Sequence, residues 1–136
     1  MANYIGAART NYFKVKDDKA FLDAMGDISN IEVVQNENGY ALLGDDPDSG
    51  SFPSWDHDEE TGEDIEIELS KIVASHLVDN EVAIFMEAGA EKLRYINGYA
   101  EAVNNKGEHQ EISLMDIYDR INELTDTPEN VSRCEY

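Results

Sequence analysis

The 136-residue sequence predicts an α+β fold, a mainly antiparallel sheet with helices packed on one face. Two observations point there. The hydrophobic period switches repeatedly between 2 and about 3.6 along the chain, and turn signals such as Asn38-Gly39 separate the apolar runs. The expected order is β-α-β-β-α-β-β-α, related to the split βαβ arrangement.

The elements follow in sequence. TNYFKVK (residues 10–16) alternates, with Phe13 and Val15 on one side and Tyr12, Lys14 and Lys16 on the other, as a half-buried strand does. DDKAFLDAMGD reads as a short helix with Asp17 near its N-cap, an apolar stripe of Phe21, Leu22 and Met25, and Gly26 as its stop. IEVVQ and YALLG flank NENG, which predicts a hairpin.

Residues 45–63 then form a long acidic loop inside what is otherwise one domain covering 1–136, broken by Pro47, Gly50, Pro53 and Gly62. EDIEIELSKIVASHL admits two readings. Ile65, Ile67 and Leu69 alternate as in a strand, whereas Ile65, Leu69, Ile72, Val73, His76 and Leu77 make a helical stripe, and Thr61 with Asp64 resembles a capping box. The longer window favours helix. EVAIFMEA and LRYINGYAEAVN are strands joined by a turn around Gly89, with Gly98 marking a bulge or bend. NNKGEH is a turn, HQEIS a short strand, and SLMDIYDRINEL a closing helix that starts at Ser113 and Asp116 and turns Leu114, Ile117, Ile121 and Leu124 inward.

Charge is the most unusual property. Thirty acids against ten bases give a net charge of −20, and residues 20–70 hold fifteen acids with no lysine or arginine. Such a segment repels itself in the compact state, and solubility alone is served by a net charge of roughly 2 to 8. The same sign repels nucleic acid and anionic lipid, so direct binding to either is not expected. Hydrophobic residues still make up 41%, so the chain folds rather than behaving as a disordered acidic tail. The single cysteine, Cys134, offers no intrachain disulfide, no apolar run reaches the roughly 18 residues of a membrane helix, and no secretion signal is evident at the start. A cytoplasmic protein with no membrane partner is expected.

ARTNYFKVKD and EKLRYINGYA resemble stretches of small acidic accessory proteins of bacterial mobile elements: phages, plasmids and integrative elements. Several families from such elements act against restriction or CRISPR systems by imitating DNA. The resemblance implies an anti-defence role and carries no catalytic motif.

Known chemistry is sparse. With Asp45 as position 1 of a calcium loop, Ser49, Gly50 and Asp56 fall at positions 5, 6 and 12, but Pro47 takes position 3, where a ligand is needed. Asp56, Asp58 and Glu60 alternate suitably, yet Gly62 comes one residue late. His57, His76 and His109 are scattered outside any zinc spacing, and Glu87, Glu91 and Lys92 read as surface groups near a turn. No cofactor, metal or enzymatic activity is expected.

The expected function is therefore that of a DNA mimic. DNA carries about one charge per 1.7 Å of axis, and proteins meet it with grooves of lysine and arginine. Asp45, Asp46, Asp48, Asp56, Asp58, Glu59, Glu60, Glu63, Asp64, Glu66 and Glu68, with Trp55 as an aromatic anchor, are the candidate contacts to a basic nucleic-acid-binding protein or complex. Phe52 and Trp55 also fit a role in pinning the loop to the core. An accessory protein that binds a basic partner without displacing nucleic acid, and a loosely cation-binding or salt-adapted protein, are the alternatives.

Overall fold

In the computed structural model, which describes residues 4–46, 49–57, 60–91 and 95–135 (backbone only at 4, 5, 55–57, 91 and 95), a six-stranded antiparallel sheet carries two helices of more than one turn on one side. The α+β class and the antiparallel sheet agree with the sequence; the order of elements departs from it in four places.

The first strand is β1, Tyr4–Thr10, and not residues 10–16. It pairs along its length with β6, Val82–Glu91, where small residues face one another: Gly6 opposite Gly89 and Ala7 opposite Ala88. A strand of such residues shows little hydrophobic alternation, so the period missed it. The alternation after it is real but local. Phe13 is fully buried and exchanges two backbone hydrogen bonds with Tyr40 (2.8 and 2.9 Å), and Val15 makes an isolated bridge to Leu77.

Helix α1, Asp18–Gly26, begins where Asp17 caps it, the carboxylate accepting the Ala20 N–H at 3.0 Å. Phe21 and Met25, four apart, are buried, whereas Leu22 is exposed. Strands β2 (Ile31–Asn36) and β3 (Gly39–Gly44) form the expected hairpin, with Asn36 opposite Gly39. Gly39 has φ +127°, and an added Cβ would lie 2.1 Å from the Phe13 carbonyl oxygen, so both backbone conformation and space demand glycine.

The second departure lies in the acidic stretch. The expected loop contains β4, Trp55–His57, which pairs with β5, Asp64–Glu66, in a separate two-stranded sheet. Helix α2 starts only at Leu69 and ends at His76. Both readings of 63–77 were thus half right: Asp64, Ile65 and Glu66 follow the strand period, and Leu69, Val73 and Leu77 pack into the core at the helical one. The Thr61–Asp64 capping box does not form. Thr61 instead accepts the Glu63 N–H at 3.3 Å in a local turn, and Glu68 occupies the N-cap of α2 without a side-chain cap.

The third concerns the β6–β7 pair. Gly89 lies within β6, and the chain reverses between Glu91 and Tyr95, the first residue of β7 (Tyr95–Asn104). Gly98 is in regular register opposite Ala88, with no bulge; its missing side chain makes room for Leu114, whose Cδ1 would stand 3.0 Å from an added Cβ. The Asn105–Gly107 turn leads into β8, His109–Ser113, as expected. The sheet order is β2-β3-β1-β6-β7-β8.

Fourth, residues 113–124 are not one helix. Ser113 and Asp116 do form a capping box, but it opens a 3₁₀ turn (Leu114–Asp116) followed by a single turn of α3 (Ile117–Arg120) and another 3₁₀ turn. Leu114, Ile117 and Leu124 are exposed rather than inward, Leu124 at 86%. Leu114 finds a partial surface over Gly98, but Ile117 and Leu124 do not, and a short amphipathic helix then has little reason to continue.

The core lies between the sheet and helices α1 and α2. Phe13, Phe21, Tyr40, Leu42, Val73, Leu77 and Phe85 form one cluster, with Phe21 edge-on to Phe13 at 5.7 Å and beside Tyr40 at 5.1 Å. Burial, helped by the charge of Asp18 and a hydrogen bond to it, pushes the Tyr40 phenol above its ordinary value of 10.0.

Candidate functional site

The acidic stretch is fastened to the helix-bearing side of the sheet at defined points. Asp46 turns the chain by accepting the Ser49 N–H on its carboxylate (3.0 Å) and the Gly50 N–H on its carbonyl (2.8 Å), and the Ser49 carbonyl then accepts the Gly6 N–H of β1 at 2.8 Å. Phe52 packs edge-on against Phe85 at 5.5 Å. Its N–H is received by Glu87, a buried carboxylate on β6, at 3.1 Å. Ile67, whose N–H bonds the Ser54 carbonyl at 2.8 Å, packs against the core at the far end. Phe52 is thus a pin, as the sequence allowed, and Glu87 is not a surface group.

Between these anchors the acids are displayed. Asp45, Glu60, Glu63, Asp64, Glu66 and Glu68 are exposed, while Asp46 is half-buried and serves the turn. On β5, Asp64 and Glu66 lie on one face about 6.6 to 6.8 Å apart by strand geometry, a spacing comparable to that of phosphates along one nucleic-acid strand. Asp48, Asp58 and Glu59 lie outside the described residues, and Trp55 and Asp56 are placed by backbone alone, opposite Glu66 and Ile65. The first cation after this run, Lys71, pairs with Glu68 at 2.9 Å. That hydrogen bond, reinforced by the charges of Glu68 and Glu66, holds the Lys71 ammonium above its usual pKa.

The same side of the sheet adds acids that charge counting along the sequence did not bring together. In the antiparallel β7–β8 pair Glu101 stands directly opposite Glu111 and Val103 opposite His109. Like charges in that position are destabilising unless bridged. His109 supplies the bridge, its Nδ1 3.4 Å from Glu101 and 3.5 Å from Glu111. One nitrogen and two carboxylate oxygens within 4.8 Å is a donor set a divalent cation accepts, and here the imidazole nitrogen stands within ion-pair distance of both carboxylates. The Asn105–Gly107 turn fixes the register, so this pairing was readable once the turn was taken as a two-strand connection.

Glu101, His109 and Glu111 line one wall of a cleft of about 420 Å³ whose other walls are Phe52, Leu69, Phe85 and Val103, with Glu68 and Lys71 at its rim. The arrangement is an apolar slot edged by carboxylates, suited to receive a cationic side chain: the stem against the aromatic floor, the head at the rim. Compared with protein-family models, curated proteins and solved structures, the chain matches none. Among the described residues, no helix is long and apolar enough to cross a membrane.

Proposed function

We propose that the protein is a non-catalytic binding protein that imitates nucleic acid, inserting its acidic helix-bearing side into the lysine- and arginine-lined groove of a nucleic-acid-handling protein, such as a defence complex of the host. The observation that carries this reading is the exposed carboxylate series Glu60, Glu63, Asp64, Glu66 and Glu68, built on a short hairpin whose two ends are pinned to the core by Phe52 and Ile67. Pinning matters because a preorganised anionic array loses less conformational freedom on binding than a flexible tail of the same charge. The cleft beside it, edged by Glu68, Glu101 and Glu111, accommodates one lysine or arginine of the partner's groove.

The test is capture and competitive release. The immobilised chain is exposed to a bacterial lysate, and bound proteins are eluted with double-stranded DNA. The expected catch is a DNA- or RNA-binding protein that DNA releases and that the variant Glu63→Lys, Asp64→Lys, Glu66→Lys no longer retains, although its circular dichroism is unchanged. A partner that holds DNA and this chain together would instead mark an accessory protein, and retention by the triple variant would remove the proposed site.

A further inference from the structure

The β7–β8 pair carries a mixed nitrogen and oxygen donor set drawn from two strands. Glu101 of β7 stands directly opposite Glu111 of β8, and His109, two residues before Glu111, shares its side because strand side chains alternate. The turn between the strands holds this register. The Asn104 side-chain oxygen accepts the N–H groups of Lys106 and Glu108, each at 3.0 Å, and its amide nitrogen donates to the Glu108 carboxylate at 3.0 Å, one residue before His109. In the sequence the three histidines stand outside any zinc spacing, because the other members of this set come from the paired strand and from an alternate position.

The distances inside the set are those of ligands around a common centre. His109 Nδ1 lies 3.4 Å from a Glu101 oxygen and 3.5 Å from a Glu111 oxygen, both longer than the roughly 2.7 to 3.2 Å of an N–H···O hydrogen bond. Zinc holds imidazole nitrogen and carboxylate oxygen at about 2.0 to 2.2 Å, so two such ligands at the tetrahedral angle stand about 3.3 to 3.6 Å apart. Both contacts fall in that range. The third edge, between the carboxylates, is within 4.8 Å and shortens by rotation of the Glu111 side chain, which is 63% exposed. The octahedron of magnesium, with bonds of about 2.0 to 2.1 Å, asks for neighbours about 2.8 to 3.0 Å apart, and calcium takes oxygen donors; the imidazole and the spacing together select a borderline transition ion.

We propose that Glu101, His109 and Glu111 form a binding site for a divalent ion of the zinc class, with three protein ligands and a fourth position open to the cleft. Charge and access both favour it. Among the described residues neither carboxylate has a lysine or arginine within ion-pair distance, and Lys71 at the rim is engaged by Glu68 at 2.9 Å. A divalent ion therefore relieves the repulsion between directly opposed carboxylates. All three ligands line the cleft of about 420 Å³, so water or a small ligand reaches the fourth position. The site goes beyond the imitation of nucleic acid and is measured on the chain alone, so its failure leaves that reading untouched.

Equilibrium dialysis of the full chain against Zn²⁺, with Mg²⁺ in large excess, should retain one zinc ion per chain and raise the thermal midpoint by mass action. Co²⁺ in its place should give the intense visible absorption of a four-coordinate ion. His109→Ala and, separately, the pair Glu101→Gln with Glu111→Gln should weaken zinc binding by at least about tenfold, the loss that removal of even an outer-shell partner brings. Glu123→Gln with Glu129→Gln removes the same charge from exposed positions outside the cleft and should keep the ion, with circular dichroism unchanged in every variant. Zinc displaced by Mg²⁺, zinc retained by His109→Ala, or an equal loss in the control pair marks the loose counterion binding of an acidic surface and overturns the site. An octahedral cobalt spectrum from the native chain overturns it independently of any variant.

Discussion

The two faces of one sheet differ in almost every physical respect. On the helix-bearing side large side chains interlock: Phe13, Phe21, Leu42 and Leu77 have at most 0% of their surface exposed, and the acidic hairpin is pinned over the end of that layer. On the other side, strands of the same sheet present Val82, Ile84, Met86 and Ile112 to solvent and almost no charge. The difference teaches that the part of the sheet formed by β6, β7 and β8 segregates its charge to one side. Strand alternation makes this possible, because Glu87, Glu101 and Glu111 sit one residue away from apolar neighbours that face the other way.

The contrast can be broken by substitution. The largest effect is expected at Phe21→Ala, which opens a cavity beneath α1 and should cost about 3 to 5 kcal/mol in urea unfolding. Met86→Ala, on the bare face, should change the stability by less than about 0.5 kcal/mol. Next comes Gly39→Ala. Its positive φ and the Phe13 carbonyl in the way of a Cβ predict a loss of about 2 to 3 kcal/mol, visible in the same unfolding curves.

Smaller effects sharpen the picture of the acidic side. Glu87→Ala leaves the Phe52 N–H without its buried acceptor and should cost about 1 to 3 kcal/mol, with faster proteolysis at residues 45–54 as the sign that the pin has loosened. His109→Ala leaves Glu101 facing Glu111 across the β7–β8 pair and should cost up to about 1 kcal/mol. Finally, the Tyr40 phenol, raised in the folded state, contributes stability that is complete below 10.0 and lost as pH rises through the folded-state value. Tyr40→Phe should therefore flatten the alkaline limb of the stability profile, read as the unfolding midpoint against pH.

How much of this the sequence revealed depended on whether the signal was local. The β2–β3 hairpin, the Asp17 cap and the Ser113–Asp116 capping box were legible because a turn or a cap is fixed by residues within a few positions. β1 was not, since its small residues acquire meaning only opposite Gly89 and Ala88 of β6. The hairpin formed by β4 and β5 was hidden because three-residue strands are too short to show a period. The exposed acids of residues 60–68 were readable from composition alone. Their extension by Glu101 and Glu111 needed the β7–β8 register, and the bare apolar face needed knowledge of where the helices went, which no single strand encodes.

The segregation of roles between the two faces is tested most directly by hydroxyl-radical and carboxylate footprinting of one sample, with the protein alone and with a protein it captures in the proposed experiment. The account predicts that the partner protects Asp64 and Glu66 and leaves the labelling of Met86 unchanged. Protection of Met86 by the partner, with Asp64 and Glu66 labelled as before, would contradict it.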